Sequence, residues 1–131
     1  MKSVQAIIDA KGGLELLPLA PIRLENPPYM PLSIEHIGTG PRGGQMVAVH
    51  HSKVVNGDLC FDPELTFEVI GDEWHPISFE MSGQVYHEVI FTDEATGKLM
   101  VRPKLVRDLK AFARMWDKNI RDQGFVKLAS E

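Results

Sequence analysis

The dipeptide Asn56-Gly57 constrains the fold of this chain most, because it separates two apolar-rich runs, Met46–Val55 and Asp58–Ile70. An Asn-Gly pair in this setting predicts a two-residue β-hairpin turn of type I′, since both central residues of that turn need positive φ. A loop this short also fixes the register of the two strands. The predicted cross-strand pairs are Val55 with Asp58, Lys53 with Cys60, His51 with Asp62, and Val49 with Glu64.

That register divides the hairpin into two faces. The predicted core face carries Met46, Ala48, Val54, Leu59, Phe61, Leu65 and Phe67. The opposite face carries His51, Lys53, Asp58, Asp62 and Glu64 among three valines. Pro63 has no N–H for the ladder, and in this register it falls at a non-hydrogen-bonded position opposite His50. A local bulge at Pro63 is the alternative.

Further strands are predicted on both sides of the hairpin. Extended patterns cover Ile22–Leu24, Leu32–Ile37, Trp74–Met81, Val85–Thr92 and Leu99–Arg102, with a tight turn predicted at Ser82-Gly83. The glycine-rich stretch Gly38–Gly44 lies between two strand patterns and lacks the following helix that a phosphate loop needs. It is therefore interpreted as a flexible connection.

Two segments predict helices. From Pro103 to Gln123 the apolar residues recur with a period of 3.6 and fall within an arc of roughly 120°, the stripe expected to face a core. Leu105, Leu109, Phe112, Trp116 and Ile120 are the main members of that stripe, and Val106 and Ala113 complete it. Gly124 is predicted to end this helix as a glycine cap. A shorter helix over Val4–Ala10 is predicted to be capped by Ser3.

The pattern as a whole predicts an α+β fold in one domain spanning residues 1–131. An antiparallel meander of about five strands packs against one long C-terminal helix, and a short helix precedes it. The only cysteine, Cys60, excludes an internal disulfide and favours a reducing compartment. With no signal peptide pattern and no apolar run near ~20 residues, the sequence predicts a cytoplasmic protein that does not contact a membrane.

The polar face of the hairpin is the first candidate site. His51, Asp58, Asp62 and Glu64 combine an imidazole with three carboxylates, a set that can bind a divalent cation or move a proton. This set supports the hypothesis of a small metal-dependent hydrolase or nuclease. A solvated sheet face with one favourable charge pair is the competing interpretation. The histidine spacing contains no metal-binding pair such as H-x-x-x-H, so no metal or cofactor is assigned.

A basic face on the long helix is the second candidate site. Six cations share an arc of roughly 120° opposite the apolar stripe. They are Lys104, Arg107, Lys110, Arg114, Lys118 and Arg121. Residues 102–127 carry a formal charge of +5, from 8 basic and 3 acidic side chains. Residues 1–101 carry −8, from 6 basic and 14 acidic side chains. Such segregation indicates a charged partner. Nucleic acid and a protein partner, including a second copy of the chain as a homodimer, both stay open beside a merely solvated face.

Four segments carry a resemblance to a known family. They are Pro28–Leu32, Asn56–Glu64 (NGDLCFDPE), Trp74–Ser78 and Leu109–Trp116. With these segments the chain resembles a bacterial domain family of unknown function that occurs in plasmids, phages and integrating elements. The resemblance implies a mobile-DNA setting and no particular reaction. The sequence therefore predicts a small binding or accessory protein of a mobile element, and the hydrolase or nuclease remains the alternative.

Overall fold

The computed structural model describes residues 1–82 and 84–131 and has the predicted α+β fold. Its helices are α1 (Lys2–Ala10), α2 (Pro103–Asp122) and α3 (Phe125–Ala129). Its strands are β1 (Ile22–Leu24), β2 (Leu32–Thr39), β3 (Gln45–Val55), β4 (Asp58–Ile70), β5 (Glu73–Met81), β6 (Val85–Glu88), β7 (Ile90–Thr92) and β8 (Leu99–Val101). Strands β1 to β6 form one antiparallel meander in sequence order, and β7 pairs with β8 in a separate ribbon.

The turn between β3 and β4 is the one that the sequence predicts. Asn56 and Gly57 both have positive φ, 53° and 84°, as a type I′ turn requires. The pairs of Val55 with Asp58 and Lys53 with Cys60 are confirmed. The outer half of the hairpin therefore has the predicted register.

The inner half of the hairpin has a different register, so two of the predicted pairs are wrong. His50, rather than Val49, pairs with Glu64, and Val49 pairs with Leu65. The pairing shifts between His50 and Ser52, where His51 alone stands against Asp62 and Pro63. An extra residue on one strand is a β-bulge, and Pro63 is a suitable place for one because it has no N–H to donate to the ladder.

The shift reverses the predicted faces of β3. Val47, Val49 and His51 lie on the same side as Leu65 and Phe67, and this side packs against the helices. We call it the helix-covered face. Met46 and Ala48 were predicted to share a core face with Leu65 and Phe67, but they lie on the other side of the sheet.

The outer part of the predicted core face is also not core. Val54 is 70% exposed and Leu59 is 55% exposed, although they pair as predicted. Phe61 is half-buried, and its ring packs edge-on against His50 with 4.9 Å between centroids. The end of the hairpin extends beyond the surface that the helices cover.

The helices bury the helix-covered face. Leu109, Trp116 and Ile120 of α2 are buried as predicted, while Leu105 and Phe112 are partly buried. The ring of Phe112 packs edge-on against Phe79 of β5, and Trp116 packs edge-on against His51. Ile7 and Ile8 of α1 and Phe125 of α3 complete this core.

The termini of the helices differ in one respect from the prediction. Gly124 adopts the predicted left-handed conformation, with φ of 86°, and α3 follows it directly. Ser3, however, lies inside α1 and does not cap it. The backbone N–H groups of Ser3 and Val4 instead donate to the carboxylate of Asp117 in α2, at 3.1 and 3.3 Å to Oδ1. The free N–H groups in the first turn of α1 are therefore hydrogen-bonded by a side chain that is distant in sequence.

The predicted strand Val85–Thr92 is divided into β6 and β7. Val89 lies between them: its N–H donates to the carbonyl of Ile77 in β5 at 2.8 Å, whereas its carbonyl accepts from the N–H of Arg102 at 2.9 Å. The chain therefore changes at Val89 from pairing with β5 to pairing with β8. The predicted turn at Ser82-Gly83 includes a residue outside the described part of the chain.

The glycine-rich connection between β2 and β3 is held in place by Glu68 of β4. The fully buried carboxylate of Glu68 accepts hydrogen bonds from the N–H groups of Arg42 and Gly44, both at 2.8 Å, and from Arg42 Nη1 at 3.0 Å. A Cβ atom at Gly40 would lie 2.4 Å from Glu68 Cδ, so the backbone can approach only because that residue is glycine. The connection is anchored, in contrast to the flexible loop expected from its composition.

Candidate functional site

The four side chains of the predicted hairpin site lie in different environments. His51 is buried on the helix-covered face, where Nδ1 lies 3.1 Å from the carbonyl oxygen of Met30 and 3.2 Å from that of Pro31. Burial lowers the pKa of His51, although these two carbonyls oppose the effect. A neutral imidazole that donates Nδ1–H to a backbone carbonyl fits these contacts. His51 is thus placed to stabilise the core between the sheet and α2.

Asp58 and Asp62 are exposed on the outer part of the hairpin, and Glu64 lies on the opposite side of the sheet from His51. The structure therefore does not bring the four side chains together. Across residues 1–82 and 84–131, no group of three or more His, Cys, Asp or Glu side chains is arranged to hold a metal ion.

Glu64 instead belongs to a row of polar side chains on the side of the sheet opposite the helix-covered face. It pairs with His50 on one side and with Glu80 on the other, and Glu80 pairs with Tyr86. The next row contains Glu35, Thr66, Ser78 and Glu88. We call these two rows the acidic face.

Contacts within the acidic face tie its members together. His50 Nε2 lies 3.4 Å from Glu35 Oε1, and the hydroxyl of Tyr86 donates to Glu88 at 2.7 Å. The hydroxyls of Thr66 and Ser78 form a buried hydrogen bond. Each of these contacts joins side chains of the same face, as alternation along the strands requires.

The electrostatics of the acidic face centre on Glu64. Burial, with the nearby carboxylates of Glu80 and Glu35, raises the pKa of Glu64 to about 7. Burial lowers the pKa of His50 although Glu35 favours its charged form. The bond to Glu88 raises the pKa of Tyr86 to about 12. Near neutral pH this face can therefore take up or release a proton at Glu64.

Beside Glu64 lies a groove of about 430 Å³. Thr66, Ser78 and Glu88 contribute its polar lining, and Ile90 of β7 and Leu99 of β8 contribute apolar lining. Of these residues the sequence pointed to Glu64, but not to Glu35, His50, Glu80 or Glu88 as its neighbours. The four lie on four different strands, so their proximity depends on strand pairing, and the pairing of His50 with Glu64 depends on the register shift at His51.

The predicted basic face of α2 is exposed at all six positions, and its members differ in their contacts. Lys118 Nζ forms an ion pair with Asp122 at 2.7 Å, and Arg121 Nε donates to Ser3 Oγ at 3.1 Å. The other four make no ion pair or side-chain hydrogen bond within the described residues. These four are Lys104, Arg107, Lys110 and Arg114.

The acidic residues of α2 reduce the positive charge of the basic face less than the sequence suggests. Asp117 accepts the N–H groups at the start of α1, where the helix dipole favours a negative charge. Asp122 forms an ion pair with Lys118. Between Lys104 and Arg114, the sequence of α2 contains one acidic residue, Asp108, against four cations.

The fold places the two charged surfaces on opposite sides of the sheet. Helix α2 packs on the helix-covered face and presents its cations outward, while the carboxylates of the acidic face lie on the other side. The segregation seen in the sequence thus becomes a separation in space. Among the described residues, no helix is both long and apolar enough to cross a membrane.

Comparison with known proteins places the chain in a family. A family model described as a domain of unknown function (DUF6908) matches residues 2–126, and the chain therefore belongs to that family. No curated protein matches the chain, and no solved structure does.

Proposed function

We propose that this member of the domain family of unknown function binds nucleic acid through the basic face of α2. One observation carries the proposal: Lys104, Arg107, Lys110 and Arg114 are exposed, regularly spaced on one side of a helix, and without an opposing partner in the described part of the chain. Cations in such a row are suited to contact successive phosphates of a polyanion.

The rest of the molecule determines how such binding would occur. Residues 1–101 carry −8, and the acidic face lies on the other side of the sheet from α2. A polyanion is therefore repelled from most of the surface and attracted to one helix. Phosphate contacts alone carry no sequence information, so we expect weak affinity with little sequence preference.

We further propose that the protein serves a plasmid, phage or integrating element as an accessory factor in the cytoplasm. The resemblance of its four distinctive segments to domains from such elements supports this setting. The single cysteine is compatible with a reducing compartment, where the nucleic acid would also be found.

Titration of labelled duplex and single-stranded DNA at about 50 mM salt tests the proposal. Log affinity falls as log salt rises, with a slope of about −0.9 for each phosphate contact on duplex DNA, so four to six contacts predict a slope of roughly −3.6 to −5.4. The double variant Arg107→Glu with Arg114→Glu should lose most of the binding.

The matched control is Lys53→Glu with Lys98→Glu. It changes the net charge equally at two exposed positions away from α2. The proposal requires this control to bind much better than the α2 variant. It is rejected if the unmodified protein does not bind DNA, or if both double variants lose the same affinity.

A further inference from the structure

A second cavity lies beside the basic face, between α1, α2 and the sheet. Its volume is about 400 Å³, within the range of small-ligand pockets. Its deep part is apolar, formed by the buried side chains of Phe67 and Ala113 together with Trp74. Lys2, Lys110 and Arg114 line its outer part, and all three are exposed. We call this cavity the Trp74 cleft.

Trp74 is held in a defined orientation in this cleft. Its Nε1–H donates to Gln5 Oε1 of α1 at 3.3 Å, and its ring packs edge-on against Phe67 with 5.3 Å between centroids. The side chain remains partly exposed. A fixed, partly exposed indole offers a flat apolar surface without the entropy cost of ordering a mobile side chain.

The charges around the cleft favour an anionic ligand. Lys110 and Arg114 make no ion pair in the described chain and approach the cleft from α2. One carboxylate, Asp117, also lines the cleft, but it accepts the backbone N–H groups of Ser3 and Val4. The cleft therefore combines an aromatic surface with three cations, Lys2, Lys110 and Arg114, against one carboxylate, and its lining keeps an excess of positive charge.

We propose that the Trp74 cleft receives the base of an unpaired nucleotide, with Lys110 and Arg114 contacting the adjoining phosphate. Flat apolar bases stack on aromatic side chains, and single-stranded nucleic acids are commonly bound by such stacking next to a cationic track. A base in a duplex is already paired and stacked and must leave the helix to enter. This inference rests on the proposed function and adds a preference for single strands.

The experiment compares a 12-nucleotide oligothymidylate with a 12-base-pair duplex, using tryptophan fluorescence and labelled-DNA titration. Loss of one stacked base weakens binding by roughly tenfold, so the single strand should bind about tenfold more tightly than the duplex. Tryptophan emission should be quenched by the single strand. In the Trp74→Phe variant, which retains an aromatic ring, binding should persist while quenching is lost.

Two charge-reversal variants locate the contact on the helix. Lys110→Glu with Arg114→Glu changes two cations of the cleft, whereas Lys104→Glu with Arg107→Glu changes two cations of the same face outside it. Both pairs change the net charge equally. The first pair should remove the preference for single strands, and the second should weaken both DNA forms while the preference remains.

The outcomes separate this inference from the proposed function. Absence of binding to either DNA rejects both. Equal affinity for the two forms, with no quenching and equal effects of the two charge-reversal pairs, rejects the Trp74 cleft and leaves phosphate binding by α2 intact. Quenching that persists in Trp74→Phe also rejects it, because the signal then arises at the buried Trp116.

Discussion

The helix-covered face and the acidic face belong to the same strands but are stabilised by different means. On the helix-covered face, Val49 and Leu65 pair across the strands and are fully buried in an apolar core. On the acidic face, Thr66 and Ser78 are nearly as buried, and they hydrogen-bond to each other. The first face needs shape complementarity, while the second needs a partner for each polar atom.

This difference indicates how each face should respond to substitution. Truncation on the helix-covered face leaves a cavity, and its effect should depend little on pH. Removal of a charge on the acidic face changes the balance among carboxylates, so its effect should change with pH.

Trp116→Ala should reduce the free energy of unfolding by about 3–5 kcal/mol, because a large buried aromatic side chain is removed from between α2 and the sheet. Denaturant melts measure the change. Met115→Ala is the control, since the neighbouring Met115 is 53% exposed, and it should cost less than about 0.5 kcal/mol. A loss below about 1 kcal/mol for Trp116→Ala would show that α2 does not depend on this contact.

Glu68→Ala should cost about 3 kcal/mol, because the N–H groups of Arg42 and Gly44 lose their buried acceptor. Burial alone would raise the pKa of Glu68, but these donors and the Arg42 guanidinium hold it below its usual 4.5. The stabilisation is therefore present above pH 4.5 and is lost as the pH falls through the lowered pKa. Melts at pH 7 and at pH 3 should show a smaller effect at pH 3.

For Glu68, the control is Glu94→Ala, at an exposed position in the β7–β8 connection. It should change stability by less than about 0.5 kcal/mol at both pH values. An equal loss for Glu68→Ala at pH 7 and pH 3 would contradict a charged Glu68 that anchors the glycine-rich connection.

Glu64→Gln should stabilise the protein at pH 8 by about 1 kcal/mol, a value reduced for the partial exposure of this side chain. The pKa of Glu64 is raised from 4.5 to about 7, so the folded protein binds the proton more tightly than the unfolded chain. The contribution of Glu64 to the free energy of unfolding is fully present below pH 4.5, and it is lost as the pH rises through the raised pKa of about 7. The variant should lack that decline.

Melts between pH 4 and pH 8 distinguish this prediction from a general charge effect. Glu25→Gln removes the same charge at an exposed position beyond β1 and should follow the pH dependence of the unmodified protein. A decline between pH 4.5 and pH 7 that is as steep in Glu64→Gln as in the unmodified protein would locate the titrating group elsewhere.

Val54→Ala should have the smallest effect, below about 0.5 kcal/mol, because Val54 is 70% exposed. Val49→Ala provides the matched comparison in the same strand, where the side chain is fully buried, and should cost about 2 kcal/mol. The register predicted from the sequence placed Val54 in the core and Val49 on the polar face. With that register, Val54→Ala would cost more stability than Val49→Ala. Denaturant melts of the two variants thus test the register shift directly.

Elements with local causes could be predicted from the order of residues along the chain. The turn at Asn56-Gly57 depends on two residues that accept positive φ, and the strands next to it begin in the predicted register. The 3.6-residue period of α2 likewise determined both its buried stripe and its exposed cations. Glu64 was predicted to lie beside His51, Asp58 and Asp62, whereas the structure pairs it with His50 and Glu80.

Which residues share a face depends on contacts between elements that are distant in sequence. One extra residue opposite His51 inverts the pairing for the inner half of the hairpin, and alternation then moves every later side chain to the other side. The predicted and the observed register are both compatible with the turn at Asn56-Gly57, so the local sequence does not distinguish them. In the structure Val47, Val49 and Leu65 lie in one apolar core with residues of α1 and α2, where they are removed from water. In this register Glu64 pairs with His50 instead of Val49.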